Sequence, residues 1–202
     1  MATTVRRRAR APLLLAAVAT WLIAPAVPAQ MLSGTELVDV LQGGGCVLVI
    51  RNAQSPEERT EDAPRSPANH HGEREIDAYG QGQMSVIGYA FRELDIPVGQ
   101  TLSGPAYRSR QSANYLGFGK QSTVNELDED ADPSWLEQRV AEAPAAGQNT
   151  VIVTHGGLIA AALGQPAREI GTAETLIYCP DAGGAAPVAR LTIEDWARLA
   201  VN

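Results

Sequence analysis

Cysteine and histidine are scarce in this 202-residue chain, with two of the first and three of the second. Two cysteines cannot build the disulfide-dense scaffold of a small secreted domain, and the spacing of Cys46 and Cys179 suggests no metal site. Long apolar runs are absent after residue 29, and so is any stretch of clustered basic residues. The one apolar run, Ala11 to Ala29, follows Arg6, Arg7, Arg8 and Arg10 and closes on Val27-Pro28-Ala29. A charged start, an apolar middle and a small-residue exit read as a secretory signal peptide cleaved near Ala29. Pro12, Pro25 and Pro28 interrupt the run, which disfavours its alternative, an uncleaved anchor. Removing residues 1–29 takes away four arginines and leaves twelve basic side chains against 23 acidic ones, a formal charge of −11. No cationic stripe remains to follow a nucleic-acid backbone, so a nucleic-acid partner is not expected. A small basic pocket is still compatible with that charge, because one phosphate needs only a few aimed donors.

What is present is an alternation of helix and strand patterns within one domain over 30–202. GTELVDVL (residues 34–41) has helical spacing, with Thr35 as a candidate cap and the glycines 43–45 as its end. The run VLVI (47–50) is a buried strand that stops at Arg51-Asn52. Residues 54–79 are polar and too long for an ordinary connection, which marks a loop over a site or a flap. Helical periodicity returns over Gln83 to Leu94. A short strand, Thr101 to Ser103, precedes a helix opened by Pro105 and running through Leu116. The acidic stretch Glu126 to Asp132 reads as loop, and a helix from Pro133 runs toward Ala143. TVIVT (150–154) is a second fully apolar strand, stopping at His155-Gly156-Gly157 before a helix over Leu158 to Leu163. Thr175 to Cys179 and Val188 to Ile193 read as strands joined by the DAGG turn, with a closing helix from Glu194 to Leu199.

This order predicts a three-layer α/β/α sandwich with a mostly parallel sheet and an antiparallel edge. Ligands of such sheets sit beyond the carboxyl ends of the strands. Arg51-Asn52, Ser103-Gly104 and His155-Gly156-Gly157 all follow strand ends, so they can converge. Arg51 and Arg108 offer forked donors, His155 a donor or base, and the glycines, Gly156 among them, let backbone N–H groups approach an anion. That chemistry is a phosphate cradle. Cys46 and Cys179 each lie in a strand-like segment and are either a bridge or two separate core residues. His70 and His71 fall in the polar loop with no third ligand suggested, so no metal and no cofactor is expected.

The segments GGGCVLVIRNAQS, LSGPAYRSRQSANYL, VIVTHGG and IYCPDAGGAAPVARLTIEDWARLA together resemble the histidine phosphatase superfamily, with its phosphoglycerate-mutase-like fold, in a small exported bacterial form. The resemblance runs from about Gly43 to Ala200. It implies phosphomonoester hydrolysis through a phosphohistidine, with Arg51, Arg108 and His155 holding the phosphoryl oxygens. It also implies a carboxylic acid after the second arginine, for which Glu126 is the positional candidate and Asp128 the next. Tyr107 and Arg110 read as helix-surface residues.

Two positions depart from that pattern. Asn52 stands where the nucleophilic histidine belongs, and Gly104 where serine is common. Imidazole has an available nitrogen lone pair, whereas an amide nitrogen has delocalised its own and only donates hydrogen bonds. The resulting expectation is a pocket for phosphate or a small phosphorylated ligand with little or no turnover, a pseudophosphatase or a nucleophile-disabled variant. One alternative is an enzyme using His155 and Glu126 for acid–base chemistry without phosphohistidine. The other is an extracellular interaction module, which has no need of converging cations. After signal cleavage no membrane association is expected, and the location is periplasmic or extracellular.

Overall fold

A computed structural model describes residues 31–56, 73–166, 169–183 and 186–201. The signal-peptide reading of residues 1–29, together with His70 and His71, lies outside the described residues. In chain order the elements are α1 (Gly34–Gly43), β1 (Val47–Arg51), α2 (Ala78–Glu93), β2 (Val98–Ser103), α3 (Tyr107–Leu116), β3 (Ser122–Thr123), a 3-10 turn (Asn125–Leu127), α4 (Ser134–Ala141), β4 (Asn149–Thr154), α5 (Gly156–Leu163), β5 (Thr175–Tyr178), α6 (Pro180–Gly183), β6 (Ala189–Leu191) and α7 (Ile193–Val201).

The strands form one sheet in the order β3-β2-β4-β1-β5-β6. β1, β2, β3 and β4 pair in parallel, while β5 runs antiparallel to β1 and β6 antiparallel to β5. β1 lies inside the sheet and is apolar on both faces because both faces are covered. Its side chains alternate between two cores, as the pleat requires. Leu48 and Ile50 join Leu37, Met84, Phe91, Leu116 and Trp196 from α1, α2, α3 and α7. Val47 and Val49 join Leu136, Val140, Leu158 and Ile159 from α4 and α5. The result is the three-layer α/β/α sandwich with an antiparallel edge. No helix among the described residues is long and apolar enough to cross a membrane.

Several local expectations move. Ser33, not Thr35, occupies the N-cap position of α1, and it makes no side-chain cap bond. α2 begins at Ala78, five residues before the apolar periodicity, because Asp77 caps it by accepting from the Gly80 N–H at 2.7 Å. The DAGG segment is not a simple turn, since Pro180–Gly183 forms the short α6. Cys46 and Cys179 are joined in a disulfide that ties the chain entering β1 to the chain leaving β5.

Candidate active site

Parallel pairing sets the level of the site. Arg51 pairs with Thr154 between β1 and β4, and Ser103 pairs with Val153 between β2 and β4. The three strands therefore end within a residue of one another, and Asn52, Gly104 and His155 each take the next position. A cavity of about 550 Å³ opens there, lined by Arg51, Asn52, Arg108, His155, Gly156 and Gly157, and also by Gln54, Arg74, Glu129 and Thr172.

Arg51 is half-buried at the tip of β1. Its Nη1 donates to the Ile170 carbonyl, and burial lowers its pKa against the raising effect of the Glu174 carboxylate. Glu174 in turn accepts from Arg190 Nε and from the Gly171 N–H, so one buried acid ties the turn just before β5 to β6. Asn52 is 7% exposed. Its backbone N–H donates to Thr154 O at 2.7 Å, while its side-chain Nδ2 has a weak local bond to Ala53 O at 3.3 Å. The amide is thus positioned by its backbone and loosely held at its tip.

Arg108 is delivered from the first turn of α3 and is 2% exposed. Ser112, one turn later, donates to Arg108 O at 2.7 Å and accepts from the Ala53 N–H at 3.0 Å. That hydroxyl fastens the helix carrying Arg108 to the loop carrying Asn52. α3 has no side-chain cap of its own at Ala106. Glu73 takes over that task from a distant segment, its Oε2 accepting from the Tyr107 N–H at 2.6 Å, where a carboxylate also favours the helix dipole. Arg110 lies 3.9 Å from Glu73 Oε1 and 5.3 Å from the Tyr107 ring centroid. Tyr107 and Arg110 are accordingly half-buried parts of this support and not plain surface residues.

His155 is the N-cap residue of α5, and its Nδ1 accepts from the Leu158 N–H at 3.3 Å. An accepting Nδ1 places the proton of the neutral ring on Nε2. Nε2 is buried without a hydrogen-bond partner among the described residues. Burial is the main cause that lowers the His155 pKa from its ordinary value of 6.5. The Asp128 carbonyl and the Glu129 and Asp128 charges oppose this, although the carbonyl makes no well-formed hydrogen bond to Nε2, and Arg108 adds to the lowering. The ring is neutral at pH 7, with one unused N–H. Because the folded pKa lies below the unfolded one, the unfolded chain takes up this proton first as pH falls. Stability carried by neutral His155 is full above about pH 6.5 and declines below it. Thermal unfolding between pH 8 and pH 5 should show a smaller acid loss in His155→Asn, which keeps a capping side chain.

The glycines after His155 have a steric part as well as the anion approach expected of them. A Cβ on Gly156 would lie 3.1 Å from Arg51 Nε, and one on Gly157 would lie 3.2 Å from His155 Nδ1. Their missing side chains make room for the arginine and for the ring itself.

The acidic segment does not bring Glu126, the expected acid, to the cavity. Glu126 is exposed on the 3-10 turn and does not line the cavity, whereas Glu129 does and forms an ion pair with Arg108 Nη2. The reason is the anchoring of the loop. Leu127 is buried, its carbonyl accepts from Thr154 Oγ1 at 2.9 Å, and a Cβ on Gly104 would come within 2.5 Å of that same carbonyl. Gly104 therefore admits a close approach that any larger residue would block. The loop settles with its later residues, not Glu126, over the cavity. Arg74 and Thr172 also line it and gave no motif signal.

No protein-family model matches the chain, and no curated protein matches it. Among solved structures, it is similar to the protein histidine phosphatase SixA complexed with tungstate, at 11% identity, TM-score 0.56, 74% of this chain and 98% of that one. It is also similar to a SixA structure from Nakamurella multipartitia, at 18% identity, TM-score 0.50, 74% of this chain and 95% of that one. The fold is the phosphoglycerate-mutase-like fold of these structures.

Proposed function

We propose that this chain is an exported histidine-phosphatase-fold protein that binds phosphate or a small phosphorylated ligand and turns phosphomonoesters over little or not at all. The observation that carries the reading is the gathering of Arg51, Arg108 and His155 around one cavity with an amide, Asn52, at the nucleophile position. Two guanidinium forks and the Nε2–H of His155 suit the oxygens of a phosphoryl group, and the start of α5 adds its dipole. Tungstate, the oxyanion in the SixA structure, is consistent with such a ligand. The disulfide supports an oxidising compartment, as export implies.

Calorimetry with phosphate or vanadate tests the reading. The intact mature chain should bind the anion, and Arg108→Ala should weaken binding about a hundredfold, the loss of a buried charge-assisted contact. Equal affinity in the two proteins would overturn it. A second reading, acid–base chemistry without phosphohistidine, gains from the placement of Glu129 beside His155 in the same cavity. Glu129 takes the role first given to Glu126, and the sign of this chemistry would be turnover lost in Glu129→Gln and His155→Asn alike.

A further inference from the structure

Arg108 is nearly inaccessible, yet its Nη2 is engaged by a carboxylate that is not. Glu129 is 36% exposed, projects from a loop between the 3-10 turn and α4, and lines the cavity together with Arg51, Arg108 and His155. The base of that loop is held by Leu127, through Thr154 Oγ1 and the Val124 carbonyl, and Asp128 Oδ1 accepts from the Glu129 N–H at 2.7 Å. These bonds tie the backbone down on the Leu127 side of Glu129, and its carboxylate reaches Arg108 from the solvent-accessible side of the pair. An oxyanion entering this cavity meets a like charge already seated on one of its donors.

We infer that Glu129 is a specificity-determining residue, an internal anion whose competition for Arg108 admits dianionic ligands and shuts out monoanionic ones. The inference rests on the phosphate-cradle reading. Displacing the carboxylate from Arg108 costs every incoming anion the same ion pair. A phosphomonoester dianion recovers that cost because its second charge is attracted by Arg51, Arg108 and the start of α5 together. A phosphodiester, a sulfate ester or a carboxylate brings one charge and merely exchanges one anion for another.

Methyl phosphate and methyl sulfate form the discriminating pair, since they share a shape and differ in charge at pH 8, above the second phosphate pKa of about 6. By calorimetry on the intact mature chain, methyl phosphate should bind and methyl sulfate should give no measurable heat. In Glu129→Gln, which keeps the size of the side chain, methyl phosphate should bind about tenfold tighter and methyl sulfate should become measurable. Unchanged affinities in Glu129→Gln, with methyl phosphate binding still lost in Arg108→Ala, would overturn the role of Glu129 and leave the cradle standing. Failure of both proteins to bind methyl phosphate would remove the cradle and this inference with it.

Discussion

Asn52→His should raise turnover of a generic phosphomonoester such as p-nitrophenyl phosphate by about 10³-fold or more. Loss of a covalent nucleophile in other enzymes leaves only the acceleration that binding and electrostatics supply, and restoring it should recover the difference. The site is prepared for the exchange. The backbone of residue 52 is fixed by its bond to Thr154 O, and among the described residues its side chain is held by the 3.3 Å contact to Ala53 O beside an open cavity. An imidazole there would share the cavity with Arg51 and Arg108. The gain should coincide with a phosphohistidine trapped by an alkaline quench. A wild-type chain that already turns over rapidly through a covalent phosphoenzyme would contradict the account.

The second large effect concerns stability. Cys46 and Cys179 are 133 residues apart, and both are buried. In the chain-entropy model a crosslink over a loop of that length stabilises by up to about 5 kcal/mol, while removal of native bridges typically costs ~2–5 kcal/mol. Replacing both by alanine, which leaves no unpaired thiol, should lower the melting temperature by roughly 4–20 °C for a domain of this size. The bridge lies at the far end of β1 from Arg51, and so anion binding in the folded variant should be nearly unchanged. A melting temperature equal to wild type, under oxidising conditions, would show that the bridge does not form.

The strands that position the cavity were readable because they are short, β-branched and apolar on both faces, so VLVI and TVIVT announce a covered sheet without help from context. Once the topology is parallel, Arg51 and His155 must share an end of it. Arg108 follows from the helix that packs beside β2. The acid could not be placed in the same way. Whether Glu126, Asp128 or Glu129 reaches the cavity depends on where Leu127 is buried and on which carbonyl Thr154 captures, and both are tertiary facts. The support from Glu73 was hidden for a similar reason, since its partner, the Tyr107 N–H, lies 34 residues away. The start of α2 was missed because its first turn carries glycine and polar residues and is set by a cap and not by apolar spacing.

Gly104 gives the two departures from the family pattern a joint meaning. The absent side chain lets the Leu127 carbonyl rest against the end of β2, and that contact fixes the height at which the acidic loop crosses the cavity. A serine at 104 would lift the loop and shift the acids relative to Arg108. Asn52 lines the cavity, and Gly104 sets how closely the Leu127 carbonyl can approach the end of β2. Histidine introduced at 52 would share the cavity with a loop whose anchor, the Leu127 carbonyl, is set by the absence of a side chain at Gly104.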